Sequence, residues 1–259
     1  IMIRLKNINK INKTGKVSFH ALKNVSINIE KGEFVAIMGP SGSGKSTLMH
    51  IMGFLDSPDS GTYLFDGRDT SKLDDMEYAE LRRNRIGFVF QQFHLLSRYS
   101  AFSNIQIPIT YSGKKERLRE ASNLLSLVGL SGKEKNLPGE LSGGEKQRMG
   151  IARALASKPT YLLMDEPFSN LDPPSRIRVI SEIRRIHNEL KTTTIYVTHN
   201  LVEAMILGDR IGVMREGTIQ QIGPPEQVYN YPANDFVADF IKYYDYLHTF
   251  KMAINSSGN

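Results

Sequence analysis

The 259-residue chain is long enough for one large domain or two intimate subdomains, and its 40% apolar and 23% charged residues include no low-complexity tract. It contains no cysteine, which excludes a disulfide scaffold, a cysteine nucleophile and a thiolate metal site. The net charge of +6 is spread along the chain, densest at Arg82, Arg83 and Arg85 and at Lys114, Lys115, Arg117 and Arg119, as on a solvated surface that can also meet an anionic ligand or membrane face.

In chain order, residues 3 to 8 and 22 to 29 alternate apolar and polar, as half-buried antiparallel strands do. Phe34-Val35-Ala36-Ile37-Met38 is a continuous apolar run, expected of a strand buried on both faces. A glycine-rich turn over 39 to 44 leads into a predicted helix from Lys45 to about Phe54. A second buried strand is predicted over Ile86 to Phe90. From about Gln92 to Ser157 the pattern is mainly helical, with Leu118, Ala121, Leu124, Leu125 and Val128 at helical spacing and Gly129 and Gly132 as stops. Strand-like runs return at Tyr161 to Met164 and Thr194 to Val197, separated by a helix that starts at Pro173 and Pro174, and again at Ile211 to Met214 and Thr218 to Ile222. Strands alternating with helices predict an α/β fold with a parallel sheet, an antiparallel β portion at its N-terminus and an α-helical insert over about 92 to 157. No apolar run approaches the ~18 residues of a membrane span. The chain is therefore expected to be soluble and to serve a membrane, if at all, from its surface. The tail over 242 to 259 is aromatic, then Ser/Gly-rich, and is expected to fray.

Three motifs carry chemistry. Gly39-Pro40-Ser41-Gly42-Ser43-Gly44-Lys45-Ser46-Thr47 matches G-x-x-x-x-G-K-[ST] in full, between a strand and a helix. Glycines let backbone N–H groups converge on phosphate oxygens at the positive end of the following helix. Lys45 would reach the β- and γ-phosphates, and the Ser46 hydroxyl would ligate Mg²⁺. The pattern is that of a P-loop and predicts a nucleoside triphosphate as ligand. Tyr161-Leu162-Leu163-Met164-Asp165-Glu166 is an apolar strand ending in two carboxylates, which it delivers to the C-terminal edge of a parallel sheet. Asp165 there would hold Mg²⁺ and Glu166 would take a proton from, or orient, an attacking water. Leu141-Ser142-Gly143-Gly144-Glu145-Lys146-Gln147-Arg148 places a hydroxyl and two glycines at a helix start, a second anion site.

That third run resembles the LSGGQ signature of ABC ATPases, and further matches follow in that family's order over residues 2 to 241. Gln91 resembles the Q-loop glutamine that senses Mg²⁺ and the membrane partner. Ser169-Asn170-Leu171-Asp172 resembles the D-loop, and His199 the switch histidine at the γ-phosphate. The resemblance implies an ATP-binding, ATP-hydrolysing subunit that needs Mg²⁺ and lies peripherally at the cytoplasmic face of the cell membrane. It implies a homodimer, or a pseudo-dimer with a second cassette, in which each ATP lies between one P-loop and the partner's Ser142, Gly143 and Gly144. It also implies integral membrane permease subunits and, for an importer, an extracytoplasmic solute-binding protein. Two departures matter. Glu145 stands where the family usually has glutamine, so its carboxylate must turn away from phosphates or stay solvated. Asn12, about 27 residues before Gly39, stands where the family stacks an aromatic ring on adenine; Phe19 or His20 would have to substitute, or ATP and GTP would be weakly distinguished.

Residues 38 to 110 resemble the lipoprotein-release and macrolide-export group. The stretch from Glu166 onward, through Glu166-Pro167-Phe168-Ser169-Asn170-Leu171-Asp172 to the run over 221 to 241, resembles importers of sugars, polyamines or oxyanions. Import is the favoured reading and export the alternative. A soluble ABC ATPase of translation or DNA repair is less favoured, because one cassette without a coiled-coil insert lies here and the basic clusters lack the interleaved aromatics of a nucleic-acid groove. A switch without turnover is disfavoured by the presence of both Glu166 and His199.

Overall fold

A computed structural model describes residues 1–14, 17–113 and 120–244. The Lys114, Lys115, Arg117 and Arg119 cluster, the helical position Leu118 and the tail from 245 on lie outside the described residues. Strands β1 (Ile3–Thr14) and β2 (Val17–Ile29) form an antiparallel hairpin, with Ile3 opposite Ile29 and Leu5 opposite Ile27. β4 (Ser60–Phe65) joins the other side of β1, and β5 (Arg68–Asp69) closes the edge, in the order β2-β1-β4-β5. The hairpin runs well past the alternation visible in sequence. Register shifts between Leu5 and Ile11 break the period of two, and Asn7 and Asn24 adopt positive φ there. Side chains satisfy the disturbed backbone: Asn24 N–H donates to Asn9 Oδ1 at 3.0 Å and Asn7 N–H to Ser26 Oγ at 2.9 Å.

The second sheet has six strands in the order β10-β9-β3-β8-β7-β6. β3 (Phe34–Met38) lies between β8 (Thr193–Val197) and β9 (Arg210–Arg215), and β7 (Tyr161–Asp165) between β8 and β6 (Ile86–Val89), all parallel. Only β10 (Thr218–Gly223) runs antiparallel, on β9. The expected parallel α/β core is present. Its strands face two hydrophobic clusters, which is why they read as unbroken apolar runs. Val35, Ile37, Tyr161 and Leu163 face a cluster shared with β1, β2 and helix α1 (Lys45–Met52). Phe34, Ala36, Met38, Leu162 and Met164 face the opposite cluster, built with the helices. Each fully buried Leu, Ile or Val there is worth roughly 1.5–3 kcal/mol.

Helix α2 (Asp75–Arg85) was not legible by periodicity, because none of its residues is buried. Tyr78 and Leu81 pack half-buried against the cluster of β1, β2 and α1, Asp74 and Glu77 form a capping box, and Arg82, Arg83 and Arg85 close the last turn where the helix dipole favours cations. Between β6 and β7 the chain leaves the sheet for α3 (Ala101–Tyr111), α4 (Ala121–Leu127), a single 3-10 turn at Pro138–Glu140 and α5 (Gly143–Leu155). Ile105, Ile109, Leu125, Val128 and Met149 pack together there. Residues 91–100, expected to be part of a helical stretch, are irregular. α6 (Pro173–Leu190) and α7 (Leu201–Leu207) flank β8 in sequence, and α8 (Pro225–Asn230) and a helix over 235–244 follow β10. Among the described residues, no helix is long and apolar enough to cross a membrane.

Candidate functional site

Three parallel strands deliver the candidate residues to one sheet edge: β3 leads into the loop at 39–44, β7 ends at Asp165, and β8 runs into Thr198 and His199. Thr198 N–H donates to Ile37 O at 3.2 Å, which ties the last of these to the first. The loop needs its glycines. Gly39 has φ +154°, and a Cβ there would stand 2.4 Å from Met214 O; Gly44 has φ +101°, and its Cβ would stand 2.6 Å from Ala21 O. Gly217 N–H donates to Ser43 O at 3.0 Å, so the β9–β10 turn braces the loop from behind. Pro40, Ser41 and Gly42 lie at its outer side, Ser46 is exposed and Thr47 half-buried in the first turn of α1.

The Lys45 ammonium lies across the loop, donating to Gly39 O at 2.8 Å and Pro40 O at 2.9 Å. Burial draws its pKa down, opposed by the negative charges of Glu166 and Asp165. Burial raises the Asp165 carboxyl above the usual carboxylate range, and neighbouring Glu166 raises it further, while His50 and Lys45 pull it back. Glu166 has φ +42°, an unusual backbone for a glutamate. Its N–H donates to Val197 O at 2.9 Å, and its carbonyl accepts from the Ser169 hydroxyl at 2.9 Å. That turn brings Glu166 Oε2 to 3.1 Å from Nδ1 of the half-exposed His199. A carboxylate and an imidazole in contact beside a lysine and a second carboxylate can bind a polyanion, accept a proton from water and hold a terminal phosphate.

Gln91 is exposed beyond β6, and its carbonyl accepts from Asn170 Nδ2 at 3.1 Å, which joins its loop to residues 169–172. Arg153 on α5 donates to Phe93 O at 3.0 Å and His94 O at 2.5 Å, a link from the helical layer that the sequence did not reveal. Asp172 caps α6, accepting from Ser175 N–H at 3.0 Å, and that bond lowers its carboxyl pKa. Ser142 caps α5 in the same way. Its Oγ accepts from Glu145 N–H at 3.3 Å, and Glu145 Oε2 accepts from Ser142 N–H at 2.8 Å. Glu145 thus turns back into a capping box, with Lys133 Nζ at 3.3 Å, so its charge is directed away from the two glycines. Gly144 packs on Ser175 at the start of α6. Among the described residues, no hydrogen bond or ion pair links 142–144 to 39–47. One chain therefore gathers the loop, Asp165, Glu166 and His199, with no such bond to Ser142, Gly143 or Gly144 among the described residues.

Across the hairpin, Asn12 pairs with Phe19 and Ile11 with His20. Directly opposed residues of an antiparallel pair share a face, so Phe19 stands beside Asn12, and it is half exposed. The same strand passes the loop two residues later, at Ala21. The sequence offered Phe19 and His20 as candidates, and the strand register places Phe19 directly opposite Asn12.

The chain matches the family model described as ABC transporter over residues 22–169. It is 46% identical over 220 residues to YknY of Bacillus subtilis, an uncharacterized ABC transporter ATP-binding protein, covering 84% of this chain and 95% of that one. It is also 48% identical over 201 residues to the macrolide export ATP-binding/permease protein MacB of Mannheimia succiniciproducens, covering 77% of this chain and 31% of that one. With the sulfate/thiosulfate import ATP-binding protein CysA 2 of Rhizobium meliloti it shares 41% identity over 245 residues, 92% of this chain and 64% of that one. Its fold is similar to the ATP-binding cassette MJ0796, solved as a post-hydrolysis dimer bound to ADP and Pi, with a TM-score of 0.77, 39% identity, and coverage of 86% of this chain and 99% of that one. The chain belongs to the ABC transporter family as one of its ATP-binding cassettes, an ATPase that powers transport.

Proposed function

We propose that two cassettes close head-to-tail on two ATP molecules, each held by Gly39 to Thr47 of one chain and by Ser142, Gly143 and Gly144 of the other, with Asp172 at the junction. The observation that carries this reading is the Glu166–His199 contact at 3.1 Å beside Lys45, in a chain whose second glycine-bearing helix start at Ser142 makes no hydrogen bond or ion pair to the loop among the described residues. Closure excludes water and completes the site. Glu166 accepts the proton of the attacking water, while His199 and Lys45 hold the γ-phosphate for in-line displacement. The buried Ser43 Oγ, which has no hydrogen-bond partner, fits an anion at the loop. Among the described residues no three His, Cys, Asp or Glu gather as a metal cage. Ser46, Gln91 and Asp165 instead offer the few hard oxygen ligands that suit Mg²⁺, with phosphates and waters completing its shell. Burial and the adjacent charge of Glu166, which raise the Asp165 pKa, favour a cation there. Mg²⁺ when bound neutralises charge on the phosphates. Replacing Ser142 by Phe should abolish ATP-driven dimerisation in sedimentation while the monomer still binds one ATP. Loss of nucleotide binding by that monomer would contradict a site shared between chains.

Phe19 is proposed to stack on the base in place of the residue at Asn12. Phe19→Ala should weaken ATP and GTP alike by on the order of 1–3 kcal/mol. A competition titration checks this, and unchanged affinity would remove Phe19 from the base.

We place the cassette at the cytoplasmic face, against permease subunits. A groove of about 330 Å³ lined by Arg82, Arg83, Pro108, Tyr111 and Arg153 supports such a contact, since Arg153 joins it to the loop after Gln91. Import, with an extracytoplasmic solute-binding protein, is favoured by the 166–172 and 221–241 runs. Export is the second reading, supported by residues 38–110. Neighbouring reading frames decide: a solute-binding protein beside this gene supports import, and a fused or paired export permease overturns it.

A further inference from the structure

Behind the reacting face lies a buried carboxylate that no step above uses. Glu203 on α7 is 4% exposed. Its Oε2 accepts from the Tyr196 hydroxyl and from Thr198 Oγ1, the latter at 2.8 Å. Its backbone N–H donates to Asn200 Oδ1 at 3.1 Å, and Asn200 N–H donates to Thr198 Oγ1 at 3.0 Å. The residues on either side of His199 are thus both fastened to Glu203. On its other side, Glu203 Oε1 faces Arg176 Nε at 3.7 Å, and Arg176 donates to Leu171 O at 3.3 Å, one residue before Asp172. Arg176 Nε is buried without a hydrogen-bond partner.

A simple stabilising brace is a poor account of this cluster. Desolvating a carboxylate and a guanidinium offsets much of their attraction, and apolar residues of similar volume often stabilise a core as well or better. What an apolar core would lack is a directional tie between two separate loops. The contacts of Arg176 are also long and leave one N–H unpaired, so the guanidinium can follow either acceptor as the loops shift.

The geometry points to Glu203 and Arg176 as positioning residues for ATP hydrolysis: Glu203 holds His199 against Glu166, and Arg176 ties that arrangement to residues 170–172, so that the switch histidine and the loop opposite the second cassette move together. This rests on the reading of His199 as a γ-phosphate contact.

The test is steady-state hydrolysis by the full chain. Glu203→Gln keeps an oxygen for Tyr196 and Thr198 and removes the charge facing Arg176. It should lower kcat about tenfold and leave KM for ATP within about twofold, because misplacement acts on the transition state rather than on binding. In a His199→Ala background the same change should cost almost nothing further. Arg176→Met, at a partly exposed side chain, should reproduce the kcat loss and covers the case in which Glu203→Gln does not fold. An equal loss with and without His199, or a lower thermal midpoint with unchanged kcat per folded chain, overturns the inference. Turnover at the wild-type rate by His199→Ala alone would instead overturn the role of His199, which is a separable result.

Discussion

Glu166→Gln is expected to bind ATP, to dimerise on it and to hydrolyse it roughly 10²–10⁴-fold more slowly than the wild-type chain, the range that a positioned general base contributes. The substitution is isosteric, and what shapes the turn is backbone: the 166 N–H to Val197 O, and the 166 carbonyl to Ser169. Neither bond involves the carboxylate, so the loop should keep its form. An amide can still meet His199 Nδ1, yet it cannot accept a proton from water at neutral pH. Because hydrolysis is slowed while binding is kept, the ATP-bound dimer should be longer-lived. Phosphate release and sedimentation with ATP measure the two halves of this expectation. Turnover close to wild type would remove Glu166 from the role of base.

Lys45→Ala should fail one step earlier, at binding. Its ammonium stands at the loop mouth, 2.8 and 2.9 Å from two loop carbonyls, where charge-assisted bonds to phosphate oxygens can replace those contacts. Losing hydrogen bonds to a charged partner costs about 1.5–3 kcal/mol, equivalent to an affinity for ATP about 10–100-fold weaker. The fold should survive, because the vacated carbonyls of Gly39 and Pro40 lie at a loop that water reaches. Titration calorimetry on the folded variant gives the number. Unchanged affinity would contradict the phosphate-binding role of the loop.

Most of the catalytic edge was legible because its signals are local. The glycines at 39, 42 and 44 mark positive φ that other residues resist, and the two carboxylates follow an apolar strand that only a doubly covered sheet would hide. Ser142 reads as a helix start for the same reason, since caps are a matter of three or four consecutive residues. Helix α2 escaped because none of its residues is fully buried and only Tyr78 and Leu81 pack against the core, too short an apolar stripe to read, although its capping box lay in plain view at Asp74 and Glu77.

The rest depended on the fold. The pairing of Phe19 with Asn12 lies in the regular stretch of the hairpin from Ile11 opposite His20 to Lys13 opposite Ser18, past the register shifts over Leu5 to Ile11, and no alternation in the sequence shows it. Glu145 is an ordinary variation of a signature until its carboxylate is seen to close on Ser142 N–H. Arg176 and Glu203 lie on different helices, and each alone reads as a charge on a helix face; only the packing of α6 against α7 turns them into one cluster. The sequence by itself determined the family, and it marked the loop at 39–47, the two carboxylates and the histidine as candidates, because backbone geometry and strand-end chemistry are encoded by neighbours in the chain. Tertiary structure alone decided that Glu166 meets His199 and that Arg176 faces Glu203, because those are contacts between residues far apart in sequence that only close packing brings together.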